Sequence, residues 1–393
     1  MLVMIAGLIL CLTLVDVSSV NPVGDDAAVQ ADSSAASYDP QTIIVELKPQ
    51  RTIQGVAGRY NLVVLEEVDE RIWLLGIPQG RTVEQVMSEL RADRDVKSVE
   101  PNYLLQIPEI NQRTIANVDG PGSSAAYAAQ PALSLLGVMS AQAVADGRGV
   151  VVAVIDTGID VAHPALGSLT SGYDFVDRDS DPSEVSGGIG YGHGTLVAGL
   201  IKLVAPGVTI MPVRAFGPDG RGTASNIAKA IRYAAQNGAD VINLSFGTLG
   251  QPQAMRGVMN LALRRAIVVT AAGNSNTNWP VPYPASVEEA MTIAATDLSD
   301  YKAALSNYGA HVDLCAPGVE LISAFPGGGF ASASGTSFSA ALASGAVALV
   351  KSSGRANAAQ AVLDSAVNID GLNPGYRGML GRGRLDVLAA VSR

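Results

Sequence analysis

Gly149-Val150-Val151-Val152-Ala153-Val154-Ile155-Asp156-Thr157-Gly158 sets six apolar residues in a row and then closes them with a carboxylate and a turn. Such a run reads as a strand buried on both faces, the habit of parallel sheets. Further strand-like runs follow at Val208–Val213, Val241–Phe246, Ile267–Ala272, Met291–Ala295 and Val312–Leu314, with a helix over Asn226–Gln236 closed by Gly238. Strands separated by helices imply an α/β fold: a doubly wound, mostly parallel sheet with helices on both faces. Sheets of this kind place their sites at the carboxyl ends of strands, where strand order reverses, and Asp156 ends its strand.

Composition agrees. The 393 residues are 48% apolar, with 42 Gly and only 6 Phe, which suits a core of Val, Ala, Ile and Leu packed closely through glycines. Residues 1–125 carry 9 basic and 17 acidic side chains and the remainder 17 and 19, so the acidity belongs to the N-terminal third. No basic footprint of a nucleic-acid binder is present. Met1 to about Val20 holds the apolar run Leu2–Val15, too short to span a bilayer comfortably and fitting a secretory signal, although no Lys or Arg precedes it. Leu8-Ile9-Leu10-Cys11 faintly suggests a lipoprotein signal, but Leu10 is bulky where a small residue is expected. Once a signal over 1–20 is removed, Cys315 stands alone and no intramolecular disulfide can form. The expectation is an extracytoplasmic monomer with no membrane span.

Residues 21–41 are small and polar and read as a flexible linker. Strand candidates at Thr42–Leu47, Tyr60–Leu65, Arg71–Ile77 and Val96–Val99, with a helix from Thr82 to about Arg91, make 42–105 a small α+β domain. Residues 106–130 read as loose again, with Asp119-Gly120-Pro121-Gly122 as turn chemistry, and 131–393 as the main domain.

Three stretches carry the chemistry. A carboxylate at the end of an apolar strand, Asp156, is costly unless paired. It either caps the next turn or serves a site. An aspartic protease also uses apolar-Asp-Thr-Gly, but needs two such carboxylates sharing a proton, and no second Asp-Thr-Gly or Asp-Ser-Gly exists here. His193, in Tyr191-Gly192-His193-Gly194-Thr195-Leu196-Val197-Ala198-Gly199, is one of only three histidines, and its flanking glycines would let a substrate backbone approach. Gly335-Thr336-Ser337-Phe338-Ser339-Ala340-Ala341 opens an apolar helix running to Val350, with Ser337 in its first turn. The first turn's free N–H groups could hold an oxyanion.

Together Asp156, His193 and Ser337 supply an orienting carboxylate, a general base and a nucleophile in the chain order known from subtilisin. All three neighbourhoods resemble those of the subtilisin-like serine proteases, the subtilases. A fourth match, Ala271-Ala272-Gly273-Asn274, implies that the Asn274 amide completes the oxyanion hole beside the Ser337 N–H. The resemblance further implies a substrate strand lying along Gly220-Arg221-Gly222 on one side and Leu244-Ser245-Phe246-Gly247 on the other. Ile43-Ile44-Val45-Glu46-Leu47-Lys48-Pro49 and Val99-Glu100-Pro101-Asn102-Tyr103 resemble the first and last strands of the family's inhibitor-type propeptide, a ferredoxin-like domain. By resemblance the chain is a secreted endopeptidase made as a self-processing zymogen, its partners being peptide substrates and its own propeptide. Cleavage would fall between Leu105 and Gln130.

Departures from the family pattern bear on metal. Leu196 stands where many subtilases have a second His, and Ala341-Leu342 where they have Pro-His; neither belongs to the triad. Ala165 stands where an Asp often ligates calcium, and the calcium loop normally inserted in the His helix is absent. No cofactor is therefore expected: the family's strongest calcium site is missing, and only weak calcium binding stays open. Asp177, Asp179 and Asp181 start like a calcium loop, but Pro182 occupies the Gly position and Gly188 the bidentate Glu position, which reads as a solvated acidic turn. Other readings were a silent subtilase-fold binding protein and an esterase. The esterase's Gly-x-Ser-x-Gly elbow is missing, because Ser339 stands two beyond Ser337.

Overall fold

The structure, a computed structural model, describes residues 37–111, 114–117 and 123–392; the expected signal segment and residues 21–36 of the expected linker lie outside the described residues. The upstream part is built from β1 (Tyr38–Leu47), α1 (Ile53–Tyr60), β2 (Val63–Asp69), β3 (Ile72–Gly76), α2 (Val83–Arg91) and β4 (Val96–Gln106). Its sheet has the order β2-β3-β1-β4, so the chain follows the ferredoxin-like β-α-β-β-α-β course. Thr82 opens α2 with a full capping box to Gln85.

Then come β5 (Ala116–Asn117), α3 (Ser123–Ala128), α4 (Pro131–Leu135), α5 (Val138–Gln142), β6 (Val151–Asp156), β7 (Tyr173–Asp174) and α6 (His193–Val204). The chain continues through β8 (Thr209–Arg214), β9 (Arg221–Thr223), α7 (Ala224–Gln236), β10 (Val241–Leu244), α8 (Ala254–Arg265), β11 (Ile267–Ala271), β12 (Met291–Thr296) and β13 (Leu314–Pro317). The hairpin β14 (Leu321–Phe325) and β15 (Gly329–Ala333) precedes α9 (Thr336–Ser352), α10 (Ala358–Asp364) and α11 (Val387–Ser392).

The central sheet has the order β13-β12-β11-β10-β6-β8-β7, and its strand pairs are parallel. Alternation along β6 distributes its residues between two layers. Val152 and Val154 join the core under α6 and α9, whereas Ala153 and Ile155 join the core under α7 and α8. Strand order reverses between β6 and β10, which leaves the carboxyl ends of those strands as the natural crevice. Helix α9 is buried from Thr336 to Val350, as an all-apolar helix must be. One of its polar side chains is satisfied within the core: Ser344 Oγ donates to Asn243 Oδ1 at 2.9 Å.

The upstream sheet is two-sided. Ile43, Val45 and Leu47 of β1 pack with α1 and α2, while Ile44, with Val68, Ile72 and Leu74, enters the core under α7 and α8. Polar contacts ring that apolar patch. Glu100 accepts the backbone N–H groups of Gln253 and Ala254, both at 2.7 Å, at the start of α8. Asn102 Oδ1 accepts the N–H of Ser225 at 3.1 Å at the start of α7. Glu66 pairs with Lys229 at 2.7 Å and Asp69 with Arg232 at 3.0 Å. The acids of the N-terminal third thus face one helix N-terminus and two cations, and the neutral Asn102 completes a second helix N-terminus.

Several expectations need correction. Residues 38–41, assigned to the linker, belong to β1, where Tyr38 pairs with Tyr103, and β4 runs on from Val99 to Gln106 because it finds a partner in β9. Tyr60 ends a helix rather than starting a strand; α1 escaped notice because Gly55 and Gly58 break its apolar pattern and Thr52 makes no side-chain cap. Residues 106–130, expected to be loose, contain a 3-10 turn at Pro108–Asn111, β5 paired with β15, and α3. Tyr127 anchors α3 by donating to the Gly199 carbonyl at 2.7 Å and packing on Phe330. The strand expected at Val312–Leu314 begins at Leu314. The expected solvated acidic turn is seen: Asp177, Asp179 and Asp181 are exposed, and Asp177 shares the Arg214 guanidinium with Asp174. Among the described residues no helix is long and apolar enough to cross a membrane.

Glu100→Ala leaves two N–H groups at the head of α8 without their acceptor and should destabilise the uncleaved full-length chain by about 1–2 kcal/mol. A urea titration that leaves the midpoint unchanged would contradict this account of how the upstream domain docks.

Candidate active site

Each candidate residue reaches the crevice for a local reason. Asp156 is the last residue of β6 and is 1% exposed. His193 is the first residue of α6, entered through Gly192 at φ +89°, where a side chain would strike the ring of Phe325. Gly194 lets the helix lie against the strand end: a Cβ there would sit 2.0 Å from the Gly158 carbonyl oxygen. Ser337 lies in the first turn of α9, and Asn274 follows β11.

His193 Nδ1 lies 2.7 Å from Asp156 Oδ1. On the other side, Nε2 does not meet the Ser337 hydroxyl directly. It lies 3.0 Å from Glu109 Oε2, and Ser337 Oγ donates to that same oxygen at 2.9 Å. Asn274 Nδ2 donates to Glu109 Oε1 at 3.0 Å. The Asn274 amide is oriented by Thr336, whose N–H and hydroxyl both donate to its Oδ1, at 3.0 and 2.9 Å, so its nitrogen must face the crevice. One acid side chain from the segment after β4 therefore touches His193, Ser337 and Asn274, three of the four candidates. Burial alone would lower the His193 pKa, but the charges and hydrogen bonds of Asp156 and Glu109 outweigh it and push it up to about 10. At neutral pH the imidazole is a cation between two carboxylates.

The tail that carries Glu109 runs between the two edges singled out from the sequence. Leu105 pairs with Gly222. Gln106 exchanges both backbone hydrogen bonds with Gly247, at 3.0 and 2.8 Å, and the Ile107 N–H donates to the Gly220 carbonyl at 3.0 Å. Gly220 has φ +75°, and a Cβ on it would strike Ile110 and Ile107. Ser245 Oγ donates to the Ser337 carbonyl at 3.3 Å. Leu244 and Phe246 are not brought to the tail by backbone pairing: both are core residues, Phe246 packing on Phe216 with ring centroids 4.9 Å apart.

Two acids were missed in the sequence. Glu109 follows a proline in a stretch read as linker, and nothing local marks it. Glu184 lies in the loop before α6 and holds that helix's first turn. Its carboxylate accepts the N–H groups of Gly192 and Thr195, both at 3.1 Å, the Thr195 hydroxyl at 3.1 Å, and the Thr157 hydroxyl beside Asp156. Burial, with the negative charge of Asp156 nearby, pushes Glu184 up to about 7 against the hydrogen bonds that favour its anion. Among the described residues no group of three His, Cys, Asp or Glu side chains is arranged to hold a metal.

Comparison with known proteins places these elements. A model described as the subtilase family matches residues 147–375, and one described as the fervidolysin N-terminal prodomain matches residues 24–102. The chain is 39% identical over 254 residues to a thermophilic serine proteinase of Bacillus sp. (strain AK1), covering 61% of each protein. It is 37% identical over 262 residues to thermitase of Thermoactinomyces vulgaris, covering 63% of this chain and 90% of thermitase. The crystal structure of fervidolysin from Fervidobacterium pennivorans superposes with a TM-score of 0.76 at 24% identity, over 91% of this chain and 61% of that one. The chain thus spans about three fifths of the AK1 proteinase and of fervidolysin.

Because the folded-state pKa of Glu184 lies above its ordinary 4.5, the folded chain favours the protonated acid, and the ionised form opposes folding increasingly as pH rises from about 4.5 to about 7. Across that window the parent should lose up to roughly 3 kcal/mol relative to Glu184→Gln in urea titrations. Parallel curves for the two would contradict the assignment.

Proposed function

Since this chain belongs to the subtilase family of serine proteases, we propose that it is a secreted endopeptidase, made as a self-processing zymogen, that cuts peptide bonds through Asp156, His193 and Ser337. The observation that carries this reading is the convergence on one imidazole: a buried carboxylate on Nδ1, and on Nε2 an oxygen that is also the acceptor of the Ser337 hydroxyl and part of the group bound by Asn274. Asp156 holds the imidazole by Nδ1 and stabilises its cation. With the Nε2 side open, His193 takes the Ser337 proton as Oγ attacks the substrate carbonyl. The Asn274 amide and the Ser337 N–H then hold the oxyanion. The proton passes to the leaving amine, and water repeats the sequence on the acyl-enzyme. A substrate strand lies where residues 104–107 lie now, hydrogen-bonded to Gly220, Gly222 and Gly247. The N-terminal apolar segment supports export, and the docked upstream domain supports a zymogen.

Ser337→Ala should abolish both substrate cleavage and self-maturation, about 10⁶ in kcat by the figure known for subtilisin. A full-length Ser337→Ala protein that still matures alone contradicts the reading. Asn274→Ala should cost about 10²–10³ in kcat, again the subtilisin value, with KM little changed; an equal loss spread into KM would assign Asn274 to substrate binding instead. The reading also carries no strong calcium site. Ala165 offers no carboxylate, and Arg214 already occupies the acidic turn at Asp174 and Asp177. Calorimetric titration detecting sub-micromolar calcium binding would contradict that.

A further inference from the structure

We propose that Glu109 governs the chain's first self-cleavage: its carboxylate locks His193 as a cation and keeps the tail's own peptide bonds out of the oxyanion site. This rests on the protease reading above and goes beyond the docking of the upstream domain. The tail binds as a substrate strand as far as Ile107. Pro108 has no N–H with which to continue the ladder, and it opens the 3-10 turn Pro108–Asn111. The turn carries the main chain off the strand path and swings the Glu109 side chain, 3% exposed, into the crevice. There its two oxygens take the places a reacting carbonyl would need, one on Asn274 and one between His193 and Ser337.

Space for the acid depends on Gly335. A Cβ on that residue would lie 1.9 Å from Glu109 Oε1, so any other side chain would exclude the carboxylate as bound. Three requirements of the reaction fail at once. The protonated imidazole has no lone pair for the Ser337 proton, the hydroxyl is committed to Glu109, and the Asn274 donor is occupied. When Glu109 withdraws, His193 loses one of its two carboxylate partners and becomes a base. Ser337 Oγ then bonds to the carbonyl carbon as the C–N bond breaks, its proton passing through His193 to the amine.

The groups facing His193 are Asp156 at the end of β6, Ser337 at the head of α9, Glu109, and Glu184 behind the first turn of α6, with Asp160 and Tyr191 beyond it. Because its pKa is raised, the imidazole keeps its proton and the lock holds well above neutral pH, and both are lost as pH rises through about 10. First cleavage should therefore speed up with alkalinity.

Full-length chain released from denaturant, followed by intact mass and N-terminal sequencing, tests this. Parent cleavage should rise about tenfold per pH unit between about pH 7 and 9, tracking the neutral imidazole. Glu109→Ala should cleave on the order of 10²-fold faster than the parent at about pH 7, with a flattened pH dependence, and Glu109→Gln should also be faster. Parent-like rates and pH dependence in Glu109→Ala would overturn the proposal. A second arm needs no activity. In Ser337→Ala protein, nitrogen-15 NMR of the three histidines should show His193 doubly protonated at about pH 8, and neutral once Glu109→Ala is added. Identical His193 signals would overturn the lock. If no variant cleaves any peptide, the protease reading itself fails, while the NMR arm still decides the role of Glu109.

Discussion

A carboxylate at the end of a strand buried on both faces is costly unless a cation or donors reach it, and Asp156 meets this requirement through His193 at 2.7 Å and the Thr157 N–H at 2.8 Å. The surrounding fold serves that contact. Gly194 lets the helix lie against the strand end, Gly158 makes room for the loop at Ser183 and Glu184, Gly192 turns the chain into α6, and Glu184 fastens the first turn of that helix to Thr157, next to Asp156. The imidazole is therefore fixed on its Nδ1 side by elements of the main sheet. Its Nε2 side is left to a group from outside that frame, here Glu109 at 3.0 Å.

The upstream domain exploits that side. It docks by apolar burial against α7 and α8, completes the N-termini of both helices with Asn102 and Glu100, and pairs its acids with Lys229 and Arg232. Its last strand then leads directly to the crevice, where Glu109 contributes a second carboxylate to the same imidazole. Glu100, which completes the head of α8, and Glu109, which enters the crevice, thus lie on one continuous segment of the chain.

The sheet and the candidate residues Asp156, His193 and Ser337 were legible in the sequence because each lies in a short stretch with a pattern of its own. Val150–Ile155 is a strand by its own composition, and His193 and Ser337 stand in short glycine-flanked runs, although what those glycines approach (Phe325, Gly158 and Glu109) lies far along the chain. Asn274, three residues past the end of β11, was legible through the family resemblance of Ala271-Ala272-Gly273-Asn274. Glu109 and Glu184 were not, since their roles depend on contacts 84 and 11 residues away in the chain, and neither Pro108-Glu109-Ile110 nor Ser183-Glu184-Val185 carries a pattern of its own. Helix α1 was missed because its stability comes from Ile53 and Val56 packing under β1 rather than from capping or propensity. Strand β4 was read too short because its end is stabilised by β9, more than a hundred residues downstream.

A serine-directed fluorophosphonate probes the central claim directly, because it reacts only with a hydroxyl whose proton a neighbouring base can take. Incubated with processed protein and with uncleaved full-length chain, then mapped by peptide mass, it should label Ser337 in the first and leave the second unmodified. Absence of label on processed protein, or label at another residue, would contradict the account.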